Sequence, residues 1–324
     1  MRVLVTGGAG LVGNALTRLF LKQGAKVFCV DNLSLGTRRH IENFQDNPDF
    51  EFEKLDVSDA GWHTKLKGRK FDLLAHLAAN SDISLGNSHP EMDRSRTFDT
   101  TFQALSAARD MKIPHFIFSS SSAVYGLNPK MPTPESSANL HPVSIYGAGK
   151  LASEAFISAF VENYGIHAWV FRFGNVVGEK LTHGVIYDFI ARLRKNPKEL
   201  KVLGNGFQTK TYIDVEDCVS GIHLAFEKSP PGNTHAEKFQ IFNLSTEGTT
   251  SVRQIAEETC RALNLKNCKI NYQDSSVGWV GDVPKTSLDV SKIKKCGWMP
   301  RLDSTAAVFK AIHDYAEWSM NSKS

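Results

Sequence analysis

No stretch of this chain is apolar for long enough to cross a bilayer, which takes about twenty consecutive apolar residues as a helix. The N-terminus resembles a leader only at first sight. Arg2 precedes an apolar run, but Gly7, Gly8, Gly10, Gly13 and Asn14 interrupt it and Arg18 closes it. Cysteine is scarce: Cys29, Cys218, Cys260, Cys268 and Cys296 are odd in number and show neither a C-x-x-C pair nor metal-ligand spacing. They read as packed, reduced thiols, and no metal site is expected. Neither sign of charge dominates, since 38 Lys and Arg face 34 Asp and Glu for a net +4. A balance that small and dispersed argues against nucleic acid as a partner. Internal repeats and low-complexity runs are missing as well. These absences leave a cytoplasmic globular protein with no membrane association, and 324 residues at 41% hydrophobic suit one large unit or a main domain with a smaller lobe.

What is present begins with glycine. Residues 2–6 read as a short buried strand, and Thr6 to Gly13 turns the chain into a helix whose apolar positions Leu11, Ala15, Leu16, Leu19 and Phe20 keep helical spacing. Gly24 stops it. Glycines at 7, 10 and 13 let the backbone turn tightly and approach a pyrophosphate, whose charge suits a helix N-terminus. A glycine triplet alone is a weak signal. Here it follows a strand, opens a helix and leads to a second strand, 26–30, that ends in Asp31. A carboxylate at that strand end bonds both ribose hydroxyls and repels a 2′-phosphate, so NAD is favoured over NADP. Arg38 and Arg39 nearby pull the other way and weigh less.

Residues 51–55 form a third predicted strand ending at Asp56, which has two open readings: an adenine contact, or the cap of its own turn. Residues 71–79 make the fourth strand and its exit, where His76 reads as a structural strand-end histidine rather than a proton carrier. A long helix over roughly 91–111 follows. Residues 114–118 make the fifth strand and deliver Ser119 to Ser122 to the carboxyl edge of the sheet, where open α/β folds place ligands. The helix to about Asn163 carries Tyr146 and Lys150, four apart and therefore on one face. An unperturbed phenol titrates near ~10, and reaching neutral pH takes roughly 4 kcal/mol, within reach of an ammonium and a cationic ring close by. Strand 168–173 is the sixth. Beyond it come helix 185–194, short strands at 201–203 and 211–215, and a mainly helical end with a Pro- and Trp-bearing loop at 276–300. The charges Arg192, Arg194, Lys195 and Lys198 read as a solvated helix face. Strand–helix alternation predicts an α/β chain: a Rossmann-type doubly wound parallel sheet with a smaller mixed α/β C-terminal lobe. The sheet domain is expected over 1–174 plus about 206–230, and the lobe over 175–205 and about 231–324.

With these motifs in order, the chain resembles an extended short-chain dehydrogenase/reductase of the nucleotide-sugar epimerase/dehydratase group. The likeness is carried by Thr6 to Gly13, Asp31-Asn-Leu33, His76-Leu-Ala-Ala79, Ser119 to Gly126, Tyr146 to Lys150, Arg172 to Gly178 and Gly281-Asp282. In that group the hydroxyl residue of the site stands 25 residues before the tyrosine, which selects Ser121. The resemblance implies catalysis by Ser121, Tyr146 and Lys150. It implies NAD contacts from Gly7, Gly10, Leu11, Val12, Asp31, Asn32, Asp56, Val57, Leu77, Ala78, Ala79, Ser119, Tyr146, Lys150 and Phe173. For the substrate it implies Ser121, Tyr146, Asn175, Val185, Lys210 and Asp282. Dehydratases of the group follow the hydroxyl residue with an Asp-Glu pair, and decarboxylases with a glutamate. Ser122 and Ala123 stand here instead, so the likeness is closest to UDP-glucose and UDP-N-acetylglucosamine 4-epimerases. Lys210 replaces a diphosphate-binding arginine and loses its fork, and no second arginine stands before Gly281. The region around Thr286 is expected to limit size beside the sugar. A homodimer through helices 91–111 and 146–163 is implied too. The alternatives are a nucleotide-sugar reductase or dehydrogenase that releases its cofactor, and a non-catalytic NAD(P)-sensing relative.

Overall fold

Seven strands form one parallel sheet in this computed structural model, which describes residues 1–127, 130–275, 278 and 283–320. Strands β1 (Arg2–Thr6), β2 (Lys26–Asp31) and β3 (Phe50–Lys54) run outward on one side. Strands β4 (Leu73–His76), β5 (His115–Ser121) and β6 (His167–Phe173) run outward on the other, with the strand Phe239–Leu244 at the far edge. The spatial order is therefore Phe239–Leu244, β6, β5, β4, β1, β2, β3. The chain reverses its direction of travel between β1 and β4, and the crevice at that reversal is where such sheets take ligands. β1, β4 and β5 are buried on both faces, as a strand sandwiched between helical layers must be.

One face of the sheet packs Val3, Val5, Ile117 and Phe171 against helix Leu11–Lys22 and helix Val215–Lys228. The other packs Leu4, Leu74, Phe116 and Val170 against helices Thr100–Asp110 and Ile145–Tyr164. The smaller lobe has its own core of Ile186, Phe189, Leu193, Ile255, Val308 and Ile312. Among the described residues it pairs in two-stranded ribbons, Glu199–Val202 with Lys269–Tyr272 and Thr209–Lys210 with Thr250–Ser251, while Asn175–Val177 pairs with Tyr212–Asp214 between lobe and sheet.

Three expectations are corrected. Residues 239–244 were assigned to the lobe, but they pair with β6 in full parallel register, Phe239 opposite Ala168 through Leu244 opposite Phe173. Without them the edge of β6 would present unpaired backbone groups. Residues 291–298 follow them onto the sheet domain, where the buried Trp298 donates to the Asp217 carbonyl at 3.2 Å. The helix expected over 91–111 exists, but its middle, Arg94–Asp99, is π-helical between Pro90–Asp93 and Thr100–Asp110. Among the described residues no helix is long and apolar enough to cross a membrane.

Candidate active site

The glycine turn lies where the sheet reverses. Gly7 adopts a positive φ of +74°, and a Cβ there would stand 2.7 Å from the Ala78 nitrogen just beyond β4. At Gly13 a Cβ would stand 2.1 Å from the Gly7 carbonyl oxygen. Side chains are thus excluded at both positions by the backbone itself. Helix Leu11–Lys22 begins at Gly10 with no side-chain cap, so its first N–H groups and the positive end of its dipole are free for an anion. At the end of β2, Asp31 is held by two backbone donors, Leu33 N–H at 2.8 Å and Ala9 N–H at 3.0 Å. Burial pushes its carboxyl above the usual range. Arg38 and Arg39 point elsewhere, with guanidiniums over Phe52 and Trp318. Such a cradle fits a dinucleotide with unphosphorylated ribose hydroxyls.

A cavity of about 630 Å³ opens from this turn. Its wall brings together Gly7, Gly10, Leu11, Val12, Asp31, Asn32, Asp56, Val57, Leu77, Ala78, Ala79, Ser119, Ser121, Tyr146, Lys150, Phe173, Asn175, Val185 and Lys210. Asp282, also expected at the site, lies outside the described residues, as do Val277 and Trp279. Thr286 stands away from the wall, its N–H reaching the Thr209 carbonyl at 3.4 Å. Asp56 satisfies the cap reading, since it accepts from the Ser58 N–H at 2.9 Å and from the Asn32 amide at 2.8 Å, while also facing the cavity. His76 is structural as expected: it is buried between the hydroxyls of Thr6 (2.7 Å) and Thr101 (3.1 Å) and held well below its ordinary pKa by burial. Arg192, Arg194, Lys195 and Lys198 are exposed, as the solvated-face reading expects, and Arg192 also reaches the cavity rim and donates to the Lys201 carbonyl at 3.0 Å.

Helix Ile145–Tyr164 starts where Ser144 caps the Gly147 N–H at 3.1 Å and ends at Gly165 in a left-handed conformation. Its buried face carries Lys150, 1% exposed. The ammonium donates to the Ser119 carbonyl at 2.6 Å and lies over the rings of Phe118 (4.7 Å) and Tyr146 (5.7 Å). Burial lowers Lys150 to about 7, opposed by the negative charge of Glu154. The expected lowering of the phenol does not appear in the polypeptide alone. Burial raises Tyr146 to about 12, the Ser121 hydroxyl acts the other way, and the charge of Asp93 adds to the rise. The reason is geometric: the lysine is aimed at a backbone carbonyl and its charge lies over the ring faces.

Behind this face stands a buried network that sequence reasoning missed. Arg172, at the end of β6, donates to both oxygens of Glu154 at 3.0 and 2.7 Å, and to the Tyr125 hydroxyl at 3.0 Å. Tyr125 passes the chain to Asn243 at 2.6 Å, and Ser120 also bonds Glu154. Glu154 had a readable signal, falling one helical turn after Lys150 on the same face. Asp82, His183 and Asp188, also on the cavity wall, had none, because they meet only through tertiary folding.

A dinucleotide cradle at the reversal of a parallel sheet, opposite a tyrosine and lysine on one helix and a strand-end serine, defines the class: a short-chain dehydrogenase/reductase-type protein. More narrowly, the chain belongs to the NAD dependent epimerase/dehydratase family, whose model matches residues 3–244. A crystal structure described as UDP-galactose 4-epimerase superposes with a TM-score of 0.87 at 35% identity, covering 98% of this chain and 99% of that one. The UDP-glucose 4-epimerase of Mycolicibacterium smegmatis is 28% identical over 318 residues, 96% of this chain and 97% of its own. The human dTDP-D-glucose 4,6-dehydratase is 26% identical over 333 residues, 98% of this chain and 90% of its own. The cofactor is accordingly NAD.

Proposed function

We propose that this protein interconverts the C4 epimers of a UDP-hexose or UDP-N-acetylhexosamine through a transient 4-keto sugar. One observation carries the reading: Ser121, Tyr146 and Lys150 share the cavity that begins at the glycine turn, while the residues after Ser121 are Ser122 and Ala123. An elimination needs a paired acid and base at that place, and no carboxylate stands there. Glu154 is turned away into its pair with Arg172. Reversible oxidation at one carbon needs no more than a base and a supporting hydroxyl.

NAD, when bound, supplies the hydride acceptor and a cationic ring beside the phenol. Gly7, Gly10, Leu11 and Val12 would hold its pyrophosphate and Asp31 its ribose. Tyr146 takes the proton of the sugar 4-hydroxyl and later returns it. Ser121 hydrogen-bonds the same oxygen and steadies the developing carbonyl. Lys150 binds the nicotinamide ribose and helps the phenol ionise. Asn175 is steadied by its amide, which donates to the Thr211 carbonyl at 3.0 Å, and with Val185 and Lys210 on the same wall it would take the nucleotide-sugar. A homodimer would pack the exposed rings of Phe102 and Phe156 between two copies.

The test is conversion of UDP-glucose to UDP-galactose by purified protein with no cofactor added. Tyr146→Phe should lower turnover by about 10³-fold, in the range of lost acid–base catalysis, while NAD stays bound. Full activity in that variant removes the proposal, and a requirement for added, stoichiometrically consumed cofactor assigns a reductase instead.

A further inference from the structure

Asp93 is not on the cavity wall, yet it is fastened to the residues that form it. Its side chain is wholly buried at the end of the turn Pro90–Asp93. Oδ1 accepts a 2.7 Å bond from the Asn80 amide. Asn80 is itself buried, follows directly on the cofactor-side run Leu77 to Ala79, and is pinned through its N–H to the Arg96 carbonyl at 3.2 Å. Oδ2 is buried with no hydrogen-bond partner. Gly86 makes room for it, since a Cβ there would stand 1.8 Å away. Asp93 also packs on the catalytic helix: the Tyr146 N–H in its first turn faces the carboxyl and favours its charged form, and a Cβ at Gly149 would stand 3.8 Å from the Asp93 carbonyl oxygen. A buried carboxylate oxygen with no donor is costly to keep for packing alone.

We propose that Asp93 is a positioning residue for the base: through Asn80 it ties the start of the Tyr146 helix to the cofactor-side loop. This rests on Tyr146 being the base. The other groups around Tyr146 and Lys150 have defined parts. Lys150 on the same helix carries the opposing positive charge, and Ser121 on β5 offers a hydroxyl. On β4, His76 is neutral, held low by burial and by the charge of Lys150. Asp82 acts one step removed, because its charge, together with burial, raises Asp93. The charge of Asp93 adds to the rise of the phenol in the resting site, which keeps Tyr146 protonated until positive charge from the cofactor and Lys150 reaches it. The base is then formed only in a loaded site.

Asp93→Asn keeps the shape and removes the charge. In the NAD-loaded protein the acid limb of kcat should move to lower pH by about half a unit to one unit, the scale of one buried charge at close range, with KM within about twofold. Asn80→Ala keeps the charge and cuts the tether, so kcat should fall several-fold at every pH without moving the limb. A readout independent of turnover is the ¹³Cζ shift of labelled tyrosine in the NAD-loaded protein, assigned to Tyr146 by comparison with Tyr146→Phe and followed from pH 6 to 10. It should titrate lower in Asp93→Asn, or in Asp93→Ser if the amide variant does not fold. An unchanged kcat in Asn80→Ala, or an unmoved limb together with an unmoved tyrosine titration, overturns the proposal. If the unaltered protein turns over no UDP-sugar, the proposed function fails, and the tyrosine titration still decides the role of Asp93.

Discussion

Lys150 shows how a catalytic group sets itself against the fold that carries it. Its folded-state value of about 7 lies below the ordinary 10.5, so between those values the unfolded chain holds a proton that the folded one does not. Stability from this group therefore rises with pH across that window and is least at its acid end. The histidines lowered by burial titrate below the window, and the raised phenol of Tyr146 above it. Lys150→Met should melt at a higher temperature than the unaltered protein at pH 7, by a few degrees, with the gap closing toward pH 9. Turnover should be lost in the same variant, as expected where function requires a destabilising group. Differential scanning calorimetry at three pH values checks the first part. At this scale much was legible. The glycines at 7 and 13, Asp31 and the Tyr146–Lys150 spacing each express a local geometric requirement. The protonation states were not, because they depend on how deeply the first turn of one helix sinks beside Asp93, a residue thirteen positions from its own partner Asn80.

At the scale of elements, the helix Ile145–Tyr164 has two jobs on one buried face. Its first two turns carry Tyr146 and Lys150 to the cavity, and the next turn, through Glu154, locks the helix to the end of β6. The Glu154–Arg172 pair is nearly dry, with side chains 5% and 3% exposed. Removing one partner strands a buried charge, which typically costs about 3–5 kcal/mol. Glu154→Gln should lose stability on that order in urea unfolding and depress Lys150 further, since Glu154 is the charge that raises it. The double change Glu154→Leu with Arg172→Met should recover most of the stability, because the guanidinium and the carboxylate leave together. The helix itself was legible from the four-residue spacing of Tyr146 and Lys150, though its Ser144 cap was not singled out. The network was not, as Tyr125, Arg172 and Asn243 come from three elements far apart in sequence.

On the whole molecule, the aromatic stripe of Phe98, Phe102, Phe156 and Phe160 runs along the outer side of the two helices, ring to ring at 5.1, 5.8 and 6.1 Å. Phe102 is 37% and Phe156 40% exposed, an apolar face that a second copy would cover. Phe156→Arg should halve the mass seen by light scattering while sparing the cofactor cradle. A mass unchanged by that substitution would argue that the stripe is not the contact. The parallel, doubly wound sheet followed from strand–helix alternation, but the domain boundary did not. Nothing in the run 239–244 marks which sheet it joins. That is decided by the open edge of β6 and by the stacking of Phe242 on Phe171 at 5.7 Å.

That late strand makes the order of synthesis matter. A ribosome has emitted about three-quarters of the polypeptide before β6 acquires its second neighbour, so nascent chains carry a raw sheet margin throughout that interval. Premature termination anywhere before residue 239 would yield no smaller, self-sufficient nucleotide-binding protein, only a body prone to stick to its own kind. The two lobes are sewn together by the thread of the backbone, and one cannot be inherited without the other.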